Sequence, residues 1–152
     1  MKRLALHIYI MFMALTAMAC QSNEVEATPS DKSASTMNIT INGKTVSCQL
    51  VENSSTKALL AQLEKGNITY EVDDYGNFEK VGNIGISLPQ NNESITTTAG
   101  DVILYQGNNI CLYYDTNSWT FTRLGKIERM SKDEIKTFLN AGGGSVKVKL
   151  SY

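Results

Sequence analysis

Apolar and polar residues alternate over short stretches along most of the chain, which is typical of half-buried β-strands. Met37 to Ile41 alternates, Asn42-Gly43 favours a two-residue hairpin turn, and alternation resumes towards Leu50. The pattern predicts further strands at positions 68–72, 84–88, 94–98, 102–105, 110–114, 119–127 and 146–150. A hairpin therefore opens a domain that consists mostly of strands.

Two segments break this alternation and carry helical signals. Ser54 or Ser55 is a candidate N-cap for a helix that ends near Gly66. Ser131 and Glu134 match the capping box that begins a second helix, and three glycines follow it. About eight strands and two helices predict a mainly β fold, a closed barrel of about eight strands with helices capping its ends.

The N-terminal segment has the composition of a signal peptide. Lys2 and Arg3 precede an apolar run at positions 4–15, and small residues follow that run. The run is shorter than the about 20 apolar residues that a membrane-spanning helix needs. We therefore interpret residues 1–19 as a leader that is removed on export.

Cys20 directly follows this leader. Ala19-Cys20 resembles the lipobox of bacterial lipoproteins, in which the cysteine takes the lipid and becomes the mature N-terminus. The alternative is an ordinary signal peptide with an incidental cysteine. Residues 20–36 are polar and lack aromatic side chains, which predicts a flexible tether. We expect a folded domain at 37–152, held by lipid on the exported side of a membrane in the bacterial cell envelope.

Removal of the leader changes the chemistry that is available to the protein. His7, the single histidine, leaves with it, and the formal charge falls from −1 to −3 because two bases and no acid are lost. A mature chain without histidine has no histidine-based nucleophilic triad and no histidine-ligated metal. Its negative balance offers no basic surface to nucleic acid. We expect no metal, no cofactor and no nucleic-acid partner.

The order of the predicted elements resembles that of the cyclophilins. Residues 39–50 resemble the first hairpin of that fold, and residues 145–150 resemble its closing strand. Leu124-Gly125-Lys126-Ile127 resembles the Phe-Gly-Lys-Val that precedes its second helix. The segment at 100–105 looks typical of the bacterial cyclophilin-like domain family. The resemblance covers about residues 37–152 and implies the same closed barrel.

The catalytic signature of true prolyl isomerases is missing from the corresponding stretch. Those enzymes carry a Phe-His-Arg motif whose arginine stabilises the twisted amide, and positions 68–85 hold neither arginine nor histidine. The resemblance therefore implies a non-catalytic module that binds a peptide or a small-molecule ligand. Two alternatives stay open: a divergent prolyl isomerase with Arg123 or Gln106 as the donor, and a structural accessory protein of an envelope assembly.

Four residues are candidates for the binding groove. By position, Gln106, Leu112 and Trp119 fall near places that line the peptide groove of cyclophilins, and Arg123 lies on a neighbouring predicted strand. Alternating side chains on one strand do not all face the same way, so core packing is the alternative for the first three. For Arg123 the alternative is a solvated or structural role.

Cys48 and Cys111 both lie on predicted strands of an exported domain, where disulfides persist. The sequence leaves open whether they are two buried thiols or one disulfide. Without a histidine partner, neither is expected to be a catalytic thiolate.

Asp73, Asp74 and Asn77 lie close together in a turn-rich segment. They lack the spacing and the terminal glutamate of an EF-hand loop, so a solvated turn is the prediction. Asp101, after Gly100, is expected at the entry to a strand.

Overall fold

The computed structural model describes residues 35–152. The predicted leader, Cys20 and the predicted tether up to residue 34 lie outside the described residues. Within the described part, no helix has the length and the apolar character that crossing a membrane requires. The elements in chain order are β1 Thr36–Ile41, β2 Lys44–Leu50, α1 Ser54–Leu63, β3 Ile68–Tyr75, β4 Glu79–Asn83, β5 Glu93–Thr96, β6 Asp101–Tyr105, β7 Asn109–Tyr113, β8 Ser118–Ile127, α2 Lys132–Leu139 and β9 Val146–Ser151.

Eight of these strands form a closed antiparallel barrel in the order β2-β1-β9-β3-β4-β7-β6-β8. The barrel closes where β2 pairs with the second half of β8, with Cys48 opposite Ile127 and Leu50 opposite Gly125. Closure removes the free sheet edges that an open sandwich would expose. The predicted mainly β fold, a closed eight-stranded barrel with two helices, is confirmed.

The remaining strand, β5, lies outside the closed ring of strands. It pairs with the first half of β8, where Ile95 is opposite Trp119 and Glu93 is opposite Phe121. β8 therefore pairs with β5 through its first half and with β2 through its second half. A β-bulge in β8, opposite Val102 and Ile103 of β6, accompanies this change of partner. The arrangement extends one side of the barrel by an additional strand.

The barrel interior holds the main hydrophobic core. Alternate residues of the strands point into it, as β9 illustrates: Val146, Val148 and Leu150 are buried, whereas Lys147 and Lys149 are exposed. The two lysines of this strand therefore face the solvent. The predicted first hairpin is confirmed, with its Asn-Gly turn in the left-handed region as such turns require.

Both helices cover the interior core with their apolar faces. Leu59 and Leu63 of α1, and Ile135, Phe138 and Leu139 of α2, are buried in the same cluster as the strand residues. β2 and β8 are antiparallel neighbours, and α1 follows β2 whereas α2 follows β8. The helices therefore begin from opposite ends of the barrel.

The N-cap of α1 differs from the prediction of Ser54 or Ser55. Asn53 is the N-cap: its Oδ1 accepts from the Thr56 amide at 2.9 Å, and its own amide donates to Thr56 Oγ1 at 3.1 Å. The hydroxyl of Ser55 donates instead to the carbonyl of Pro89. Asn53 is preferred because its side chain reaches the third helical amide while its own amide is satisfied in return.

The predicted strand at 84–88 is wrong. The strand of this region, β4, ends at Asn83, and a loop follows. Ile84 and Leu88 are buried in the interior core, and their amides donate to Asn108 and Gly107 in the turn between β6 and β7. Alternating burial therefore arises here from a loop that crosses the end of the barrel without continuous pairing.

Candidate functional site

Strand alternation divides β7 between the barrel interior and the outer face. Ile110 and Leu112 belong to the interior core, whereas Cys111 and Tyr113 belong to a second cluster on the outer face. This outer-face cluster consists of Ile95, Ile103, Cys111, Tyr113 and Phe121. The additional strand β5 supplies Ile95, so apolar packing continues outside the barrel on this side.

A cleft of about 460 Å³ opens over the outer-face cluster, which is within the size range of small-ligand sites. Its lining residues are Tyr75, Phe78, Glu79, Val81, Tyr105, Cys111, Tyr113, Asn117, Trp119 and Phe121. Six of these side chains are aromatic, and we therefore call it the aromatic cleft. They come from β3, β6, β7, β8 and the turn before β4.

The aromatic side chains contact one another in a continuous series. Phe78 stacks on Tyr113 with ring centroids 6.0 Å apart and an interplanar angle of 6°. Tyr113 meets Phe121 edge-on at 6.0 Å, Phe121 meets Tyr105 at 6.4 Å, and Tyr75 meets Phe78 at 6.1 Å. Each such pair contributes about 0.5–1.5 kcal/mol beyond its buried area, so the rings hold one another in place.

The rim of the cleft exposes apolar surface to solvent. Tyr75 and Trp119 are each 63% exposed, although both are large and largely apolar. Trp119 also borders a shallower depression of about 350 Å³ between β5 and β8. Exposed aromatic rings beside a concave surface are typical of an interaction site.

Glu79 lies at the floor of the cleft. In the sheet it is opposite Tyr75 of β3 on one side and Tyr113 of β7 on the other. The residue is only 6% exposed, and its Oε2 has no hydrogen-bond partner. Burial raises the pKa of this carboxyl more than hydrogen bonds with Tyr113 and Cys111 lower it. A buried acid with an unsatisfied oxygen is uncommon in folded proteins.

The two cysteines of the described domain are free thiols. Cys111 is in the outer-face cluster and Cys48 is in the interior core, so they belong to different packing layers. Burial raises the pKa of Cys48 to about 12 and the pKa of Cys111 still further, with a smaller contribution from Glu79 in the second case. Both remain protonated at neutral pH, which leaves no reactive thiolate.

Asp101 is buried and neutralises Arg123. Its Oδ1 lies 2.7 Å from Arg123 Nη1 and 3.1 Å from Lys126 Nζ, and its Oδ2 accepts from the Thr98 amide at 2.8 Å. Its side chain is 3% exposed, so the predicted strand-entry residue is also the acceptor for two cations. Arg123 does not line the aromatic cleft.

Asp74 links four segments at one end of the barrel. Its carboxylate accepts from buried Lys80 at 2.7 Å, from the Tyr114 hydroxyl at 3.1 Å and from the amides of Gly142 at 3.0 Å and Gly144 at 3.3 Å. The sequence predicted a solvated turn here. At Asp74 the structure instead has an ion pair with Lys80 and hydrogen bonds to the loop before β9. Within residues 35–152, no group of three or more His, Cys, Asp or Glu side chains is placed to hold a metal ion.

The structure separates the four candidate groove residues. Trp119 lines the aromatic cleft. Gln106 lies in the turn after β6, where its Nε2 donates to the hydroxyl of cleft residue Tyr105 at 3.2 Å. Leu112 is 1% exposed and points into the barrel interior, away from the cleft, because it alternates with Cys111 and Tyr113. Arg123 is held by Asp101.

Several cleft residues were not identified from the sequence. Tyr75, Phe78 and Glu79 surround the turn between β3 and β4, which has the composition of an ordinary hairpin turn. One signal was available: Cys111 and Tyr113 alternate with Ile110 and Leu112, so β7 is apolar on both faces. A strand with two apolar faces in an otherwise alternating barrel indicates a second buried layer.

Comparison with known proteins agrees with the fold. In solved structures, the hypothetical protein AF2241 from Archaeoglobus fulgidus is similar with a TM-score of 0.55 and 16% identity, over 76% of this chain and 92% of that one. McbB in complex with tryptophan is similar with a TM-score of 0.52 and 14% identity, over 76% of this chain but only 44% of McbB. No curated protein gives a match. The model of the cyclophilin-like family matches residues 39–151, and the chain therefore belongs to the cyclophilin-like family.

Proposed function

We propose that this protein is a lipid-anchored binding module of the bacterial cell envelope and that the aromatic cleft takes a small ligand or a side chain of an extended peptide. The carrying observation is the preformed series of aromatic rings with Tyr75 and Trp119 exposed at its rim. Exposure of these apolar rings to water is unfavourable. A ligand that covered the rings would remove this surface from water, which favours binding. Within the described domain the Arg123 guanidinium is paired with Asp101 and both cysteines are buried thiols, so neither supports a catalytic role.

The expected affinity for a simple ligand follows from the size of the cleft. A single aromatic group buries about 150 Å² of apolar surface, which contributes about 4 kcal/mol at 25 cal/mol per Å². This corresponds to a Kd near millimolar, and the loss of rigid-body freedom weakens it further. A natural ligand must therefore use several rings or a polar contact in addition.

Trp119 provides a direct test of binding. It is the single tryptophan of the chain and lies at the rim of the cleft, so its fluorescence reports on occupancy. We expect 2-phenylethanol and short proline-containing peptides to shift its emission in a saturable way. Tyr75→Ser should weaken this binding, whereas Tyr152→Ser, at an equally exposed tyrosine outside the cleft, should leave it unchanged. Equal affinity in both variants would place binding elsewhere.

Tryptophan is a further probe, because McbB was solved in complex with this amino acid. Its own fluorescence masks that of Trp119, so isothermal titration calorimetry is the suitable method. The matched pair Tyr75→Ser and Tyr152→Ser again separates binding in the cleft from binding elsewhere. A ligand of this kind would fill only part of the cleft volume of about 460 Å³.

A protease-coupled assay with proline peptides distinguishes the binding module from a divergent prolyl isomerase. Arg123 is engaged by Asp101 and Gln106 donates to Tyr105, which supports the non-catalytic proposal. We expect no acceleration above the uncatalysed rate. Acceleration that disappears in Arg123→Ala would instead establish catalysis.

The anchor is tested by membrane fractionation of the wild type and of Cys20→Ala. We expect the wild type in the membrane fraction and the variant in the soluble fraction, since the lipid provides the attachment. Equal release of both would remove the anchor from the proposal. A pull-down that returned a stable protein partner, together with an empty ligand screen, would favour the structural accessory alternative. We propose no nucleic-acid partner, because the net charge is negative.

A further inference from the structure

Among the described residues, the lining of the aromatic cleft contains an acidic side chain and no basic one. The acidic residue is Glu79. The neighbouring cations are already engaged: Arg123 pairs with Asp101, and Lys80, next to Glu79 on β4, points inward to Asp74. No side chain of the described domain therefore neutralises the carboxyl from within the cleft.

The unsatisfied oxygen of Glu79 indicates a missing donor. The side chain is more than nine-tenths buried, and its Oε2 has no hydrogen-bond partner. Leaving a buried acceptor unpaired costs about 1–3 kcal/mol, and more when the group is charged, so native proteins nearly always pair such atoms. Tyr113 and Cys111 are hydrogen-bonding neighbours of the carboxyl, yet Oε2 remains without a donor.

The rings around Glu79 favour the same kind of donor. The faces of aromatic rings carry negative electrostatic potential and attract cations within about 6 Å of the ring centroid. Tyr75 and Tyr113 lie opposite Glu79 on the neighbouring strands. Phe78 precedes Glu79 in the chain, and Tyr105 and Trp119 also line the cleft. An anionic ligand would meet both the carboxyl and these ring faces unfavourably. A neutral ligand with an O–H or N–H would donate a hydrogen bond but would leave the carboxyl without a counter-ion.

We propose that the ligand of the aromatic cleft is an organic cation, a protonated primary or secondary amine on an apolar body, with Glu79 as its counter-ion. Oε2 is buried in the described conformation, so the carboxyl must turn towards the cleft to receive the ammonium group. That group must keep at least one N–H to donate to Oε2, and a fully methylated ammonium lacks it. The apolar body lies against the rings, which supply the contact area. This inference rests on the proposed function, since it names the class of ligand for the same cleft.

Four probes that share one phenyl group separate charge from shape. They are 2-phenylethylammonium, 2-phenylethanol, 3-phenylpropanoate and trimethyl(2-phenylethyl)ammonium, each titrated against the purified full-length mature protein by Trp119 fluorescence. We expect 2-phenylethylammonium to bind at least tenfold more tightly than 2-phenylethanol and the carboxylate to bind most weakly. The quaternary ammonium should lose several-fold relative to the primary one, because it keeps the charge without the N–H donor.

Glu79→Gln tests the counter-ion, and Glu71→Gln is its matched control. Glu71 is an exposed acid on β3 that does not line the cleft, so its replacement removes the same charge from the same barrel. We expect Glu79→Gln to abolish the preference for the ammonium over the alcohol. Glu71→Gln should keep the preference within twofold. Thermal unfolding by circular dichroism verifies that both variants fold.

The possible outcomes distinguish this inference from the proposed function. If the alcohol binds as tightly as the ammonium in the wild type, the cationic ligand is wrong and the binding cleft stands. If the ammonium preference survives Glu79→Gln, the assignment of Glu79 is wrong. If none of the four probes changes the emission of Trp119, both the cleft proposal and this inference fail. The wild-type series decides the ligand class even if Glu79→Gln does not fold.

Discussion

Replacing Asp74 by Asn should destabilise the barrel strongly, because it leaves a buried ammonium group without a counter-ion. The side chain of Lys80 has no exposed surface, and its Nζ lies 2.7 Å from Asp74 Oδ2. The second bond of Nζ is to the carbonyl of Gly144. The same carboxylate accepts from Tyr114 and from the amide of Gly142, so it joins β3 to β4, to the end of β7 and to the loop before β9.

The magnitude follows from the burial of Lys80. Removing one partner of a buried ion pair typically costs about 3–5 kcal/mol, since the remaining charge is desolvated without compensation. A domain of this size has a total stability of about 5–15 kcal/mol, so the loss is a large fraction of it. Urea unfolding followed by circular dichroism measures the loss as a lower midpoint at an unchanged slope.

Two controls determine whether the buried charge is the cause. Asp74→Asn combined with Lys80→Met removes both charges, and most of the lost stability should return. Asp115→Asn breaks a 2.7 Å pair with Lys132 in which both side chains are at least a third exposed, and it should leave the urea midpoint nearly unchanged. A loss below about 1 kcal/mol for Asp74→Asn, or a double variant as unstable as the single one, would refute the reasoning.

The pH dependence gives an independent check on Asp74. Burial alone would raise the pKa of its carboxyl, but hydrogen bonds from Lys80, Gly142 and Tyr114 and the charge of Lys80 outweigh burial and lower the pKa. A lowered pKa in the folded state contributes stability that is present above the unfolded pKa and is lost as pH falls through the folded pKa. The wild type and Asp74→Asn should therefore converge in stability in acid.

Three further predictions concern the barrel and the floor of the cleft. Gly125→Ala should destabilise by about 1–3 kcal/mol in urea unfolding, because a Cβ would clash with the carbonyl of Gln49 at the β2–β8 junction; an unchanged midpoint would contradict that close approach. Leu112→Ala should cost about 2–5 kcal/mol through an interior cavity, with the probe affinity of the folded protein unchanged; a selective loss of affinity would place Leu112 in the site. Burial raises the pKa of Glu79, so its carboxyl contributes stability below the unfolded pKa that is lost as pH rises through the folded pKa. Thermal unfolding should show Glu79→Gln gaining stability relative to the wild type as pH rises above the unfolded pKa of the glutamate, and a constant difference would contradict the buried acid.

Local patterns were sufficient wherever the structure depends on neighbours in the chain. The turn of the first hairpin, the capping box of Ser131 and Glu134, and the two faces of β9 all follow from residues within a few positions of one another. The segment at 84–88 shows where this reasoning fails. Its alternation arises from a loop that packs across the barrel end, and periodicity alone does not distinguish such a loop from a strand.

The candidate site was only partly accessible to the same reasoning. Trp119 was identified by its position in the resemblance, and it lies on the cleft. Leu112 was assigned to the groove although it faces the interior, because the phase of an apolar strand is undefined until its neighbours are known. Glu79 and Lys80 are adjacent charged residues that point to opposite faces, and each finds its environment only in the assembled barrel.

The amino-acid sequence by itself determined the mainly β class of the fold, most of its strands and its two helices. These properties depend on periodicity, turn chemistry and composition, which are carried by short segments. Only the tertiary structure decided which face of β7 is covered, which acids are buried and where the aromatic rings meet. Those properties arise from closure of β2 on β8 and from the addition of β5, which bring together residues far apart in the chain.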